Sequence, residues 1–251
     1  MAGKLATIAL FGFGIAIACA LVAISLGGPG RTFLRRDLLG KNFDLSFLNG
    51  GDCAAMSADT STITRDLPWT TNSDKIELDL PAIVTWAPGS GDEVIASGPP
   101  ALVERVRIDG DRVTTDCDST DDQRLTIKLP GRAFSHYQID AVSQLRLAGL
   151  NQPELNLDID GAAIVDAAGV VPDTDLHVSG AASINLNNLI TQDLHADLSG
   201  ASNVVANPAQ TADIDISGLG QVTLLSRPKN YHADISGLGH VSVPDQPGSY
   251  E

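Results

Sequence analysis

Leu157-Asp-Ile-Asp-Gly-Ala-Ala163, Leu176-His-Val-Ser-Gly-Ala-Ala182, Ala196-Asp-Leu-Ser-Gly-Ala-Ser202, Ile214-Asp-Ile-Ser-Gly-Leu-Gly220 and Ala233-Asp-Ile-Ser-Gly-Leu-Gly239 are five copies of one phrase. Their glycines, Gly161, Gly180, Gly200, Gly218 and Gly237, follow one another at intervals of 19, 20, 18 and 19 residues. A period this constant means stacked copies of one supersecondary unit rather than a conventional globular core.

Aligned on the glycine, the copies resolve into columns. Ile159, Val178, Leu198, Ile216 and Ile235 stand two places before it, and Val165, Ile184, Val204, Val222 and Val241 four places after it. Ala167, Leu186, Ala206, Leu224 and Val243 stand six after. Polar or small residues fill the positions between. This is period-two alternation on both sides of a turn, the mark of two strands joined at a corner. A degenerate sixth copy precedes the five, with Ile139, Leu145 and Leu147 in the apolar columns and Ala141 in place of glycine. The expectation is about six coils of 18–20 residues, forming a rod of roughly 30 Å at about 4.8 Å per coil. The glycines are expected at the corners because glycine reaches positive φ and other cramped conformations without steric cost. The small residues two places on (Ala163, Ala182, Ser202, Gly220 and Gly239) are expected to let neighbouring corners stack closely. A leucine-rich repeat would need a recurring Leu-x-x-Leu-x-Leu frame, and a calcium β-roll a Gly-Gly-x-Gly-x-Asp nonapeptide; neither occurs.

Upstream of the repeat the chain also reads as strands. Ile76, Leu78 and Leu80 alternate with Glu77 and Asp79, Val103 to Ile108 alternate up to the hairpin signal Asp109-Gly110, and Leu125, Ile127 and Leu129 alternate up to Pro130-Gly131. No helical period appears after residue 60. Residues 29–66 mix Gly, Arg and polar residues and read as a stalk or lead-in to a domain at 67–251.

Residues 1–28 are different. Leu5 to Leu26 carries no charge and is overwhelmingly apolar. As a helix of about 33 Å it would cross a bilayer core of about 30 Å, so 1–28 reads as a signal sequence or transmembrane anchor. Cys19 as a lipidation site is disfavoured, because an uncharged run continues from Ala20 to Leu26. Arg31, Arg35, Arg36 and Lys41 follow the apolar run, and charge bias alone would keep the C-terminal side in the cytoplasm. Cys53 and Cys117 argue the other way as a candidate disulfide, with two free thiols as the alternative.

The net charge is −15, and residues 139–245 hold thirteen acidic against three basic side chains, Arg146, Arg227 and Lys229. Nucleic acid is excluded as a partner, since phosphate binding needs a basic face. Cations, basic surfaces and neutral glycans fit the charge.

The Ser-Gly-Ala/Leu-x-x-Val rungs, led in by Leu125-Thr-Ile-Lys-Leu-Pro130 and Val103-Glu-Arg-Val-Arg-Ile-Asp-Gly110, resemble the bacterial head GIN domain family of auto-transporter adhesins. The resemblance spans roughly residues 75–245. It implies an all-β, single-stranded, right-handed parallel β-helix, placed outside the cytoplasm behind a signal or anchor. It supplies no catalytic residues. Asp160 departs from the usual serine before glycine, and the Ala141 rung lacks the glycine.

Four features could carry chemistry. Asp197, Asp215 and Asp234 form one outward column, preceded by Asp158 and His177. Ca²⁺ would relieve their repulsion, but single carboxylates give too few ligands, and a solvated polar face that discourages lateral aggregation is the favoured reading. The serine column Ser179, Ser199, Ser217 and Ser236 has no recurring base beside it and reads as bonding between coils. The histidines share no metal-ligand spacing. Trp69 and Trp86 could stack on sugars, but they precede the rungs and read as cover for an end of the helix. The leading function is therefore a non-catalytic adhesin-like or ligand-binding module of a bacterial envelope, tethered through residues 5–26 and taking a glycan or a surface protein. An envelope spacer without a specific ligand is the alternative, and a polysaccharide-active enzyme the third. Any binding is expected at irregular positions, such as loops at 187–193 and 226–231. The residues select no oligomeric state.

Overall fold

The computed structural model describes residues 61–89, 91–116 and 125–244, all within a compact unit from Gly50 to Glu251. The apolar segment 5–26, Cys53 and Cys117 lie outside the described residues.

The chain is all-β and forms a solenoid whose repeat makes about five turns between its six corners, from Ala141 to Gly237. Each turn places one strand in a front sheet, bends at a corner, and places the next in a back sheet. The front–back pairs are β2 (Lys75–Asp79) with β3 (Ala82–Trp86), β8 (His136–Ile139) with β9 (Val142–Asn151), and β10 (Glu154–Ile159) with β11 (Ala162–Val170). Next comes β12 (Asp173–Val178), which leads into β13 (Ala181–Leu198). β13 runs 18 residues, joins the back sheet with its first half, and returns to the front sheet with its second. β14 (Ala201–Ala206), β15 (Pro208–Ile216), β16 (Leu219–Leu224), β17 (Asn230–Ile235) and β18 (His240–Ser242) complete the path. The expected loop at 187–193 is thus strand, bent by a register shift rather than interrupted.

Stacking order departs from chain order at the N-terminal end. β6 (Arg112–Thr115) and β7 (Leu125–Lys128) pair in parallel with β2 and β3, on the side opposite β8 and β9. Beyond them the ends of the sheets are closed by antiparallel strands. β5 (Val106–Asp109) pairs with β6, while β4 (Glu93–Gly98) pairs with β7 and then with β1 (Ile63–Pro68). Helix α1 (Pro100–Val103) buries Leu102 and Val103 there. The strand expected from Val103 therefore begins only at Val106, because Pro99-Pro100 starts a single helical turn.

The apolar columns make the core. Ile159, Val178, Leu198, Ile216, Val165, Ile184, Val204 and Val222 are at most 2 % exposed, and each such side chain contributes about 1.5–3 kcal/mol by leaving water. Ile139, Leu145 and Leu147 of the glycine-free copy are equally buried. Trp86 lies inside the inward column of β3, 4 % exposed, and donates from Nε1 to the Arg132 carbonyl at 2.8 Å. Trp69 meets Phe134 edge-on at 5.6 Å, and Phe134 meets Tyr137 at 6.1 Å. Trp86 is thus buried and presents no face for sugar stacking, while Trp69 packs partly buried against the core.

Of the two reasons expected for the corner glycines, positive φ does not apply and crowding does. None of the five has positive φ; the positive-φ glycines are Gly89, Gly91, Gly98, Gly110, Gly149 and Gly169. What the corner demands is close approach. The Gly161 carbonyl accepts the Ala181 N–H at 2.9 Å, the Gly180 carbonyl that of Ala201 at 2.9 Å, and the Gly200 carbonyl that of Leu219 at 2.9 Å. A Cβ on Gly180, Gly200, Gly218 or Gly237 would overlap the carbonyl oxygen of the glycine one coil earlier.

Candidate functional site

The outward positions of the front sheet form three columns. The register aligns His136, Asn156, Asp175, His195, Asp213 and His232 in the first. It aligns Gln138, Asp158, His177, Asp197, Asp215 and Asp234 in the second. The third, next to the corner, holds Asp140, Asp160, Ser179, Ser199, Ser217 and Ser236. Four of the five histidines in the chain thus share one face with a majority of the carboxylates of the repeat region. No single repeat shows this, because His177 and His195 fall in neighbouring columns; it emerges only from the columns side by side.

Towards the N-terminal end the charges on this face are paired. Arg112 bridges Glu77 and, at 2.9 Å, Asp79. Lys75 donates to Gln138 at 2.8 Å, and Gln138 donates to Asp140 at 2.9 Å. His136 Nε2 lies 2.9 Å from Asp158 Oδ2, and Ser179 donates to Asp160 at 2.5 Å. Ser199 donates to the Val178 carbonyl of the preceding coil at 3.2 Å. Burial pushes the Glu77 carboxyl above the usual carboxylate range, and the Asp140 hydrogen bond and charge add to it, while Arg112 and Lys75 oppose it.

Further along, the pairing thins. His195 Nδ1 is 3.8 Å from Asp213 Oδ2. Among the described residues no side chain pairs with Asp197, Asp215 or Asp234. Nor does any group of three or more His, Cys, Asp or Glu among them converge to hold a metal ion.

Where the two regimes meet, the face is hollowed. An open depression of about 430 Å³ is lined by Gln138, Asp158, Asp160, His177, Val178, Ser179, Asp197 and Ser199. Its walls offer carboxylate, hydroxyl, amide and imidazole groups. No lysine or arginine lines it. Such a surface repels phosphate, sulfate and uronate groups and suits hydroxyls, ammonium or guanidinium groups. Of the residues singled out from sequence, Asp158, His177, Asp197, Ser179 and Ser199 come together here. Asp215 and Asp234 lie one and two coils beyond Asp197 in the same column.

Residues 120–228 match the family described as "Putative auto-transporter adhesin, head GIN domain". The resemblance carried by the Ser-Gly-Ala/Leu rungs holds over that span. The head GIN segment so defined reaches from β7 to the end of the β15–β16 coil and includes the whole depression. No curated protein matches the chain. Among solved structures, a "putative adhesin" from Bacteroides fragilis is similar at 16% identity, with a TM-score of 0.57, covering 74% of this chain and 98% of that one. This likeness concerns the fold. A "putative adhesin" from Parabacteroides merdae aligns at 11% identity and a TM-score of 0.40, covering 75% and 98% of the two chains. A "Putative lipid binding protein" from Parabacteroides distasonis aligns at 14% identity and a TM-score of 0.36, covering 74% and 97%.

Proposed function

We propose that the chain is a non-catalytic, adhesin-like module of a bacterial envelope that binds its ligand on the front sheet of the head GIN segment. The observation that carries this reading is the open, lysine- and arginine-free depression over Asp158, Asp160, His177 and Asp197. It is built on strands whose backbones are locked coil to coil, so the polar groups are held in fixed positions without a closing lid. A neutral glycan or a basic protein surface is the ligand class that fits. The description of the matched family supports the adhesive role.

Several finer features belong to the same proposal. The solenoid is a right-handed β-helix. Residues 5–26 anchor it in, or export it across, a membrane, which places residues 67–251 outside the cytoplasm. Cys53 and Cys117 then form a disulfide in that oxidising compartment. Catalysis is disfavoured because, of the carboxylates lining the hollow, Asp158 lies against the His136 imidazole and Asp160 already accepts from Ser179, whereas glycoside cleavage needs a pair of carboxyl groups with one acting as acid.

The test is saturable binding of the full chain to arrayed neutral glycans and to basic protein surfaces, compared with a His177→Ala/Asp197→Ala variant. Binding lost in the variant, with melting unchanged, supports the reading. Absence of saturable binding across both ligand classes favours the spacer alternative, and cleavage of a polysaccharide favours an enzyme.

A further inference from the structure

The two ends of the solenoid are finished differently. Antiparallel β1, β4 and β5 close the N-terminal end. At the other end β17 and β18 are the last strands of their sheets, and among the described residues nothing pairs beyond them. The inward column shows the consequence. Ile216 is 1% exposed and Ala212 fully buried, but Ile235 and Tyr231, which occupy the same columns one coil on, are 42% and 38% exposed. Leu238, at the corner between β17 and β18, is 80% exposed. An apolar parallel edge of this kind is adhesive unless it is covered.

The chemistry of β17 indicates what covers it. Ser236 N–H donates to the Ile216 carbonyl at 2.9 Å. Because alternate residues of a strand turn their backbone groups to the same side, Asp234 and His232 bond towards β15. Tyr231, Ala233 and Ile235 turn theirs to the open edge. A twofold axis through Ala233 would set β17 antiparallel to β17 of a second copy, with Ala233 opposite Ala233, Tyr231 opposite Ile235 and His232 opposite Asp234. In that register the three residues with free backbone groups are the three that exchange both hydrogen bonds. On the inward face the apolar side chains meet each other. On the outward face each imidazole meets a carboxylate, a favourable cross-strand pair. Read from its centre outwards, Tyr231-His-Ala-Asp-Ile235 is therefore self-complementary. The neighbouring strand β15 would fail this condition, since Asp213 would face Asp215. β13 carries the same pattern at Leu194–Leu198, but both of its edges are already paired.

We propose that the C-terminal end of the solenoid is a homotypic docking surface, through which two copies join tail to tail by antiparallel pairing of β17. The interface is isologous, as closed twofold dimers require, and it leaves both front-sheet depressions open.

Oxidative cross-linking and sedimentation of the full chain test this. In the paired register two Ala233 Cα atoms sit about 5.5 Å apart, within disulfide reach. Ala233→Cys is expected to give a dimer-sized band at least about tenfold faster than Ser217→Cys, one coil away, and faster than the unsubstituted chain. Ala233→Pro removes an N–H that points to the open edge and none that bonds β15. It is expected to weaken self-association about tenfold or more while leaving the melting temperature of the monomer near that of the parent. Should proline disturb the coil, the charge exchange decides the matter: His232→Asp weakens the dimer, and His232→Asp/Asp234→His restores it. The proposal is overturned if the double exchange fails to restore association or if Ala233→Cys reacts no faster than Ser217→Cys. A full chain that stays monomeric at every concentration, as it would with residues 245–251 or an unrelated strand over the edge, also overturns it.

Discussion

Gly180 lies against the carbonyl oxygen of Gly161, one coil earlier, with no room for a Cβ between them. The same oxygen receives the Ala181 N–H at 2.9 Å. One small residue therefore allows a hydrogen-bonded ladder to run along the corner of the solenoid. Gly200, Gly218 and Gly237 repeat the relationship with the glycine before each.

Gly180→Ala is accordingly expected to cost about 3 kcal/mol or more, at the upper end of overpacking effects, because the obstacle is backbone that is itself held by a hydrogen bond. Chemical denaturation of the variant measures this. Ala141→Gly at the equivalent corner of the β8–β9 coil has no clash to relieve and is expected to cost only about 0.5–1 kcal/mol through chain entropy. A Gly180→Ala variant as stable as the parent would show that the coils can slide apart at the corner.

The repeat makes most of this architecture legible in the sequence alone. Period-two columns named the buried residues from Ile159 to Val222 because alternation alone decides which side faces the core. Which use of glycine the corners make was not legible, since a residue needed for positive φ and one needed for close approach look identical in a sequence. The N-terminal layers were also hidden: β6 and β7 enter beneath β2 and β3 through pairings between residues far apart in the chain, and they carry no repeat phrase. The depression stayed out of sight for a related reason. It is made by neighbouring columns of successive coils, and no single copy contains it.

Inside the solenoid, Thr174 and Thr191 form a polar pair. Their hydroxyl oxygens are 3.1 Å apart, and Thr191 also reaches the carbonyls of Pro172 at 3.0 Å and Asp193 at 3.1 Å. Thr174 and Thr191 are 0% and 1% exposed. A hydroxyl has one proton, so Thr191 donates to a carbonyl while accepting from Thr174. Thr191→Val strips both partners and is expected to cost about 1–3 kcal/mol. Thr174→Val removes only a donor and should cost less. In a double-mutant cycle by urea unfolding, the second loss should be smaller once the first is made; strict additivity would show that the two hydroxyls do not interact.

Glu77 gives the stability of the fold a pH signature. Burial holds its carboxyl above the ordinary range, so the native chain keeps a proton at pH values where the unfolded chain has released it. The contribution of Glu77 is therefore most favourable below its unfolded value and is lost as pH rises through the raised folded one. Glu77→Gln removes that slope. Relative to the parent, the variant should gain stability as pH climbs from about 4 to 7, even though it forfeits the Arg112 ion pair. Denaturation midpoints at a series of pH values decide the matter, and parallel curves for the two proteins would mean that the burial of Glu77 is not felt.

Asp197, Asp215 and Asp234 follow one another in a single exposed column. At the coil spacing of about 4.8 Å, adjacent carboxylates repel by about 1 kcal/mol or less in water. Asp215 has such a neighbour on each side, so Asp215→Asn is expected to raise stability modestly at low ionic strength. The gain should fade as the screening length drops from about 10 Å at 0.1 M salt to about 3 Å at 1 M. Calcium provides the discriminating arm. Were a Ca²⁺ ion to bridge the column, millimolar CaCl₂ would raise the melting temperature of the parent well beyond NaCl of equal ionic strength, and Asp215→Asn would abolish the excess. Single carboxylates spaced along a strand ladder supply too few oxygens for that. The expected result is an equal, small shift with both salts, the outcome of a solvated acidic face whose charge is screened rather than coordinated.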